Sequence, residues 1–277
     1  MNKAMQLKDK IKTLALKNHV PAQAVLQSFM LERLLERIAS SKYEGSFVFK
    51  GGMLVASLVG ISNRTTMDMD ATLRGYPLSE EMIKEILLDI CAIQMDDGVT
   101  LALESIIPIR EDDEYGGFRA AITARFESIN TPLKIDITTG DVITPNPIRY
   151  TFRSIFSDLR IEIWAYNLET ILAEKVETIL RRSVLNTRPR DFYDVYIILK
   201  SKSQAVDKAV FLNALSATAR KRGSLFVLQG SDRVLQNIRS DALMQQRWDR
   251  YCTENYYAQG IGFDEVIKLI AALITPG

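Results

Sequence analysis

Apolar side chains recur at helical spacing over residues 3–18 and again over 22–40. In the second stretch Val25, Leu26, Phe29, Met30, Leu34, Leu35 and Ile38 form one stripe, and Pro21 stands where a helix can begin. The period then changes. Phe47-Val48-Phe49 reads as a short apolar strand, Gly51-Gly52 breaks it, and Met53 to Leu58 starts a helix. Met67 to Leu73 alternates as a second strand would. Ser79-Glu80-Glu81-Met82 is a capped helix start that runs to about Met95, and Asp96-Asp97-Gly98 is a turn. Strands are predicted at about 99–109, 117–127 and 132–138, with the acidic stretch from Arg110 to Gly117 as an exposed hairpin loop. Pro145 and Pro147 punctuate the exit, and after Leu168 the chain reads as helices. The expected plan is a helical N-terminal arm (1–45), a central α/β core (46–165) and a helical C-terminal region (166–277).

Composition narrows the class. With 277 residues, 47% hydrophobic and 25% charged, the chain is an ordinary globular protein of one or two domains. Cys91 and Cys252 are too far apart in sequence for a metal motif or a disulfide framework, the usage of a reducing compartment. The single histidine, His19, falls on a polar N-terminal helix without a partner motif, which argues against histidine triads and His/Cys zinc sites. The N-terminus lacks the apolar stretch of a signal peptide, and Ile267 to Thr275 is too short to span a bilayer, so a cytoplasmic protein is expected, with no membrane partner. Residues 1–138 hold 16 basic and 19 acidic side chains, and residues 139–277 hold 19 and 15. The second half is mildly basic, enough to attract a polyanion without identifying one.

The chemistry gathers in a few places. Asp68 and Asp70 are two apart, so on a strand they share a face with Thr66 and Thr72, while Met67, Met69, Ala71 and Leu73 face the other way. Two such carboxylates suit a hard divalent cation, and Gly51-Gly52 at a helix N-terminus can offer backbone N–H groups to phosphate oxygens. Asp136, on the alternating strand Pro132 to Thr138, can join the first two if its strand lies beside theirs, making a two-metal site; otherwise it is a solvated residue paired with Lys134. Lys175 points along the apolar stripe of Leu168, Ile171, Leu172, Ile179 and Leu180, where an ammonium must snorkel, pair with an acid or reach a ligand. Asp191 and Asp194 share a helix face, and first-turn capping would also account for them. Asp68-Met69-Asp70-Ala71-Thr72 also fits the Asp-x-Asp-x-Thr pattern of haloacid-dehalogenase-type phosphatases. There the first aspartate follows a continuous apolar strand; here polar Ser62 to Thr66 precede it, and Gly140-Asp141 lacks the further acidic metal motif.

Taken in order, Phe49-Lys50-Gly51-Gly52, Arg64-x-Thr66-x-Asp68-x-Asp70, Lys134-Ile135-Asp136-Ile137-Thr138, Glu174-Lys175 and Arg188-x-Arg190-Asp191-x-x-Asp194 resemble the AbiEii-type nucleotidyltransferase toxins, a branch of the DNA polymerase β-like superfamily. The match spans about residues 47–195. Gly51-Gly52 replaces the superfamily's Gly-Ser, the gap to Asp68 is longer than in the simplest pattern, and Arg190 stands where lysine is usual. The resemblance implies an α+β fold: a polymerase β-like core with a mixed sheet, N-terminal helices and a helical C-terminal region. It implies transfer of a nucleoside monophosphate from an NTP, with Mg²⁺ and release of pyrophosphate, to an acceptor of which tRNA is the first to test. It also implies a DNA-binding antitoxin as the partner gene product. Asp68 and Asp70 would be catalytic metal ligands and Asp136 the third. Lys175 would meet a triphosphate oxygen, Asp191 would be required for activity, and Gly51, Gly52, Arg64, Thr66 and Asp194 would bind the nucleotide. A nucleotide-binding regulatory protein without transfer, and a metal-dependent phosphohydrolase, are the alternatives.

Overall fold

The computed structural model describes residues 3–109 and 116–275. The chain divides into two units, Met1–Asp141 with Ile148–Ala165, and Val142–Pro147 with Tyr166–Gly277. Most of the expected acidic hairpin loop, residues 110–115, lies outside the described residues.

The first unit is built on a seven-stranded mixed sheet. Its strands are β1 (Phe47–Lys50), β2 (Met69–Leu73), β3 (Val99–Ile109), β4 (Gly117–Phe126), β5 (Ile129–Thr138), β6 (Ile148–Arg153) and β7 (Arg160–Ala165), in spatial order β3-β4-β5-β2-β1-β7-β6. β2 runs antiparallel to β1 and parallel to β5, and β1 runs parallel to β7. The hairpin of β6 and β7 has no counterpart in the sequence reading. Four helices belong to this unit: α1 (Lys3–Asn18), α2 (Ala22–Ala39), α3 (Gly51–Val59) and α4 (Glu80–Ala92). The α2 stripe is the centre of the core, with Val25, Met30, Leu31, Leu34 and Ile38 at 0% exposure. It packs against β5, β7 and α4, so the N-terminal helices fall in the same unit as the sheet.

Period-two alternation gives this sheet two unlike faces. Met69, Ala71, Leu73, Ile135 and Ile137 are fully buried. The other face carries Asp70, Thr72, Asp136 and Thr138 at matched register. A buried ion pair anchors the frame: Arg37, on α2, meets Asp97 through Nη1 at 2.7 Å and Nη2 at 3.0 Å and also donates to the Val99 carbonyl. It thereby holds the turn between α4 and β3. His19 lies just beyond α1, in a left-handed conformation (φ 55°), and not within the helix.

The second unit is helical: α5 (Leu168–Arg182), α6 (Pro189–Lys202), α7 (Lys208–Lys221), α8 (Phe226–Gln229), α9 (Ser231–Ser240), α10 (Ala242–Glu254) and α11 (Phe263–Ile274), with short 3₁₀ turns between some of them. The Asn167 side chain caps α5 by accepting from the Thr170 N–H. Pro189 opens α6, where a missing N–H costs nothing. Among the described residues no helix is long and apolar enough to cross a membrane.

Candidate active site

In the first unit the site starts where β1 ends. Lys50 pairs with Asp70 across the strands, and the chain turns at once into α3. Gly51 makes that turn with φ +66°, and a Cβ there would fall inside the Asp70 side chain, 2.8 Å from its Cβ. A Cβ on Gly52 would lie 2.8 Å from Thr66 Oγ1 and 3.3 Å from Arg64 Nη2. The Gly52 N–H donates to Asp70 Oδ2 at 3.4 Å. Gly51, Gly52, Arg64, Thr66 and Asp70 thus come together around one turn, with a helix N-terminus facing a carboxylate.

Asp68 lies differently from its expected place. β2 begins at Met69 rather than at Met67, so Asp68 precedes the ladder. β1 is four residues long and ends opposite Asp70, leaving Asp68 no strand partner on that side. Thr66 Oγ1 instead serves its backbone, donating to the Asp68 carbonyl at 3.1 Å and accepting from its N–H at 3.4 Å. An aspartate ahead of a strand also departs from the dehalogenase pattern.

Asp136 stands beside Asp70 as its register partner on the parallel neighbour β5, so both face the same side about 5 Å apart between strands. Its ionic partner is not Lys134, as the bland reading had it, but Arg119. Arg119 lies directly opposite on β4 and grips both oxygens, Nε to Oδ1 at 2.7 Å and Nη2 to Oδ2 at 2.6 Å. Register explains the change. Lys134 is two residues away on the same strand, whereas Arg119 is directly across the ladder, the closer approach for long side chains. Asp70 and Asp136, with Asp68 two residues upstream of Asp70, carry hard oxygen donors of the kind a divalent cation takes. Among the described residues no three such donors are gathered in a metal-holding arrangement.

Sequence reasoning missed an ion pair beside these carboxylates. Asp141 is 1% exposed in its side chain and meets Lys50 Nζ at 2.6 Å. It also accepts from Thr138 Oγ1 at 2.8 Å and from Thr72 Oγ1. Burial alone would raise this carboxyl, but the Lys50 ammonium and the two hydroxyl donors together outweigh it and hold the pKa below the ordinary aspartate value. The cluster ties β1, β2 and β5 together next to Asp70, through its cross-strand neighbour Lys50 and through Thr72 two residues on. The one available signal was that Thr72 and Thr138 continue the alternation of Asp70 and Asp136.

The second unit holds the remaining predicted residues. Lys175 pairs with acids rather than snorkelling: its Nζ lies 2.7 Å from Asp194 Oδ2 and 3.2 Å from Asp191 Oδ1. Both carboxylates are buried, at 1% and 2% side-chain exposure, and Arg188 Nε approaches Asp191 Oδ2 at 2.9 Å. The i,i+3 spacing on α6 turns both acids toward one point of α5. Glu177, two residues after Lys175, is fully buried and takes Arg222 at 2.5 Å, Ser224 Oγ at 2.6 Å and Arg181 at 3.0 Å. This network joins α5 to the end of α7.

The chain is similar to a Helicobacter pylori crystal structure assigned as a nucleotidyltransferase, at 14% identity over 92% of this chain and 94% of that one, with a TM-score of 0.51. A second H. pylori structure, JHP933, is 14% identical over 91% and 90%, with a TM-score of 0.48. No curated protein matches. The H. pylori likeness supports the fold: α+β, with a mixed sheet. The family described as the nucleotidyl transferase AbiEii toxin of type IV toxin–antitoxin systems matches residues 33–268, which take in the sheet, both aspartate-bearing strands and the Lys175 cluster. This chain therefore belongs to the AbiEii nucleotidyl transferase toxin family and is a nucleotidyltransferase.

Proposed function

We propose that the protein transfers a nucleoside monophosphate from an NTP to an acceptor hydroxyl on RNA, with tRNA as the first acceptor. The observation that carries this reading is the junction of the Gly51-Gly52 turn with Asp70 and Asp136, a glycine turn at a helix N-terminus beside two carboxylates at one register position. The acceptor oxygen bonds to the α-phosphorus as the bond to the α,β-bridging oxygen breaks. Pyrophosphate leaves, and the hydroxyl proton goes to a carboxylate, for which Asp136 is the candidate. Such a displacement asks the protein for positioning and charge neutralisation more than for covalent help. The backbone N–H groups of the turn suit phosphate oxygens, and Arg64 and Thr66 line the same turn. Asp68, Asp70 and Asp136 would hold Mg²⁺, which when bound neutralises triphosphate charge. In the second unit Lys175, whose ammonium Asp191 and Asp194 fix, is the candidate residue required for activity.

Family membership brings an antitoxin partner, and we take it to be a DNA-binding gene product, with the toxin acting in the cytoplasm. The test is incubation with each labelled NTP, Mg²⁺ and total RNA. Label in RNA is the expected result. Label in the protein alone, or free labelled phosphate, would overturn the RNA acceptor or the transfer chemistry respectively. Asp70→Asn should lower transfer by at least a hundredfold, and near-normal transfer by this variant would refute the assignment of that carboxylate.

A further inference from the structure

The exposed face of β4 and β5 carries an ion pair that bears on how a cation reaches the site. Arg119 and Asp136 face each other across the ladder, and the two-pronged contact takes one lone-pair position on each carboxylate oxygen. Asp136 is the register neighbour of Asp70. A divalent ion shared by those two aspartates must therefore compete with a guanidinium for Asp136, and it meets that guanidinium's positive charge as well. The Arg119 side chain is 45% exposed against 18% for Asp136. The arginine is thus the more solvent-facing member of the pair, and the carboxylate stays where the strand holds it.

We propose that Arg119 is a latch on Asp136, resting on the nucleotidyl-transfer reading above. In the nucleotide-free protein it occupies the carboxylate and weakens cation binding. When the cation arrives with a nucleoside triphosphate, the polyphosphate's negative charge draws the guanidinium off Asp136 and the latch opens. The cation and the nucleotide are then captured together, and neither is held strongly alone. The arrangement also leaves Asp136 a counter-charge in the free protein until the ion replaces it.

The test uses Mn²⁺ as the probe, with affinity read by electron paramagnetic resonance of the free ion on the full chain. Without nucleotide, Arg119→Met should bind Mn²⁺ roughly threefold to fivefold more tightly than wild type, the scale of a half-exposed two-pronged ion pair. Arg119→Lys, which keeps the charge but not the fork, should fall between them. On an Asp136→Asn background the gain from Arg119→Met should vanish. With a saturating α,β-methylene NTP analogue, wild type and Arg119→Met should converge. Unchanged or weaker Mn²⁺ affinity in both Arg119 variants, alongside active transfer by wild type, overturns the latch and leaves the function standing. Failure of wild type both to bind Mn²⁺ and to transfer nucleotide overturns the function itself, and the latch with it.

Discussion

Replacing Lys175 by methionine separates two meanings of a lysine on an apolar stripe. From the stripe alone the exchange is benign, since Met keeps the stem's volume and removes a charge from an apolar edge. The ion-pair geometry reverses that expectation. The Lys175 ammonium lies between Asp194 at 2.7 Å and Asp191 at 3.2 Å, and both carboxylates are almost entirely withdrawn from water. Removing one partner of a buried ion pair costs about 3–5 kcal/mol, because a desolvated charge loses its compensation. Arg188 still reaches Asp191, so the lower end of that range, about 3 kcal/mol, is expected. With a urea m-value of about 1–3 kcal/mol/M, the unfolding midpoint should fall by roughly 1–3 M. Adding Asp194→Asn to Lys175→Met removes the stranded charge and should recover at least half of the loss, a coupling that a double-mutant cycle reads directly. The double variant should fold yet transfer no nucleotide above background, whereas a purely structural lysine would let activity return with stability. A Lys175→Met protein within about 0.5 kcal/mol of wild type would refute the argument from burial.

Two further outcomes can be measured independently. Glu32 sits on α2, where burial pushes its carboxyl up to about 7 against hydrogen bonds from Ser154 Oγ and the Ile155 N–H. Folding therefore favours the protonated form, and its contribution to stability falls as pH rises from about 4.5 through 7, by about 3 kcal/mol in total. Glu32→Gln should match wild type near pH 4.5 and exceed it by about 2–3 kcal/mol at pH 8.5 in urea titrations, and a difference that does not grow with pH would contradict this. Gly51→Ala places a Cβ inside the Asp70 side chain at a left-handed backbone position, so it should lose at least about 2 kcal/mol of stability together with transfer activity; thermal unfolding and activity both at wild-type levels would show that the turn relaxes freely.

The helices were legible because their signals are local. The α2 stripe and the Ser79 cap each need only neighbouring residues, and the structure has α2 at Ala22–Ala39 and the Ser79 hydroxyl accepting from the Met82 N–H. The β6–β7 hairpin was missed for the opposite reason. In β6 only Phe152 is buried, so the strand has no alternation to read. β7 does alternate, with Ile161, Ile163 and Ala165 inward, but one of its two sheet neighbours is the unpatterned β6 and the other is β1, more than a hundred residues earlier. Asp68 was assigned to a strand because Met67-x-Met69 continues the alternation. The length of a partner strand decides where a ladder stops, and β1 runs out at Lys50.

The same distinction accounts for what could be read of the site. Asp70, Asp136 and the glycine pair announce themselves by residue type and spacing, and each was named from the sequence. Their ionic partners were not, because pairing depends on register. Arg119 is one of several basic residues on exposed strand positions, and only the antiparallel ladder that sets residue 119 against 136 selects it over Lys134. In the sequence Lys50 is simply the residue before the glycines, and Asp141 belongs to a Gly-Asp pair without the phosphatase's further acidic motif. They meet because β1 and β5 both flank β2, which brings residue 50 and the chain leaving Thr138 to the same depth of the sheet. A sequence can thus declare the groups that carry chemistry, since their type is the signal. The groups that hold them are common residues whose only distinction is position, and in this chain that position is created by a parallel pairing of β2 with β5 across more than sixty residues.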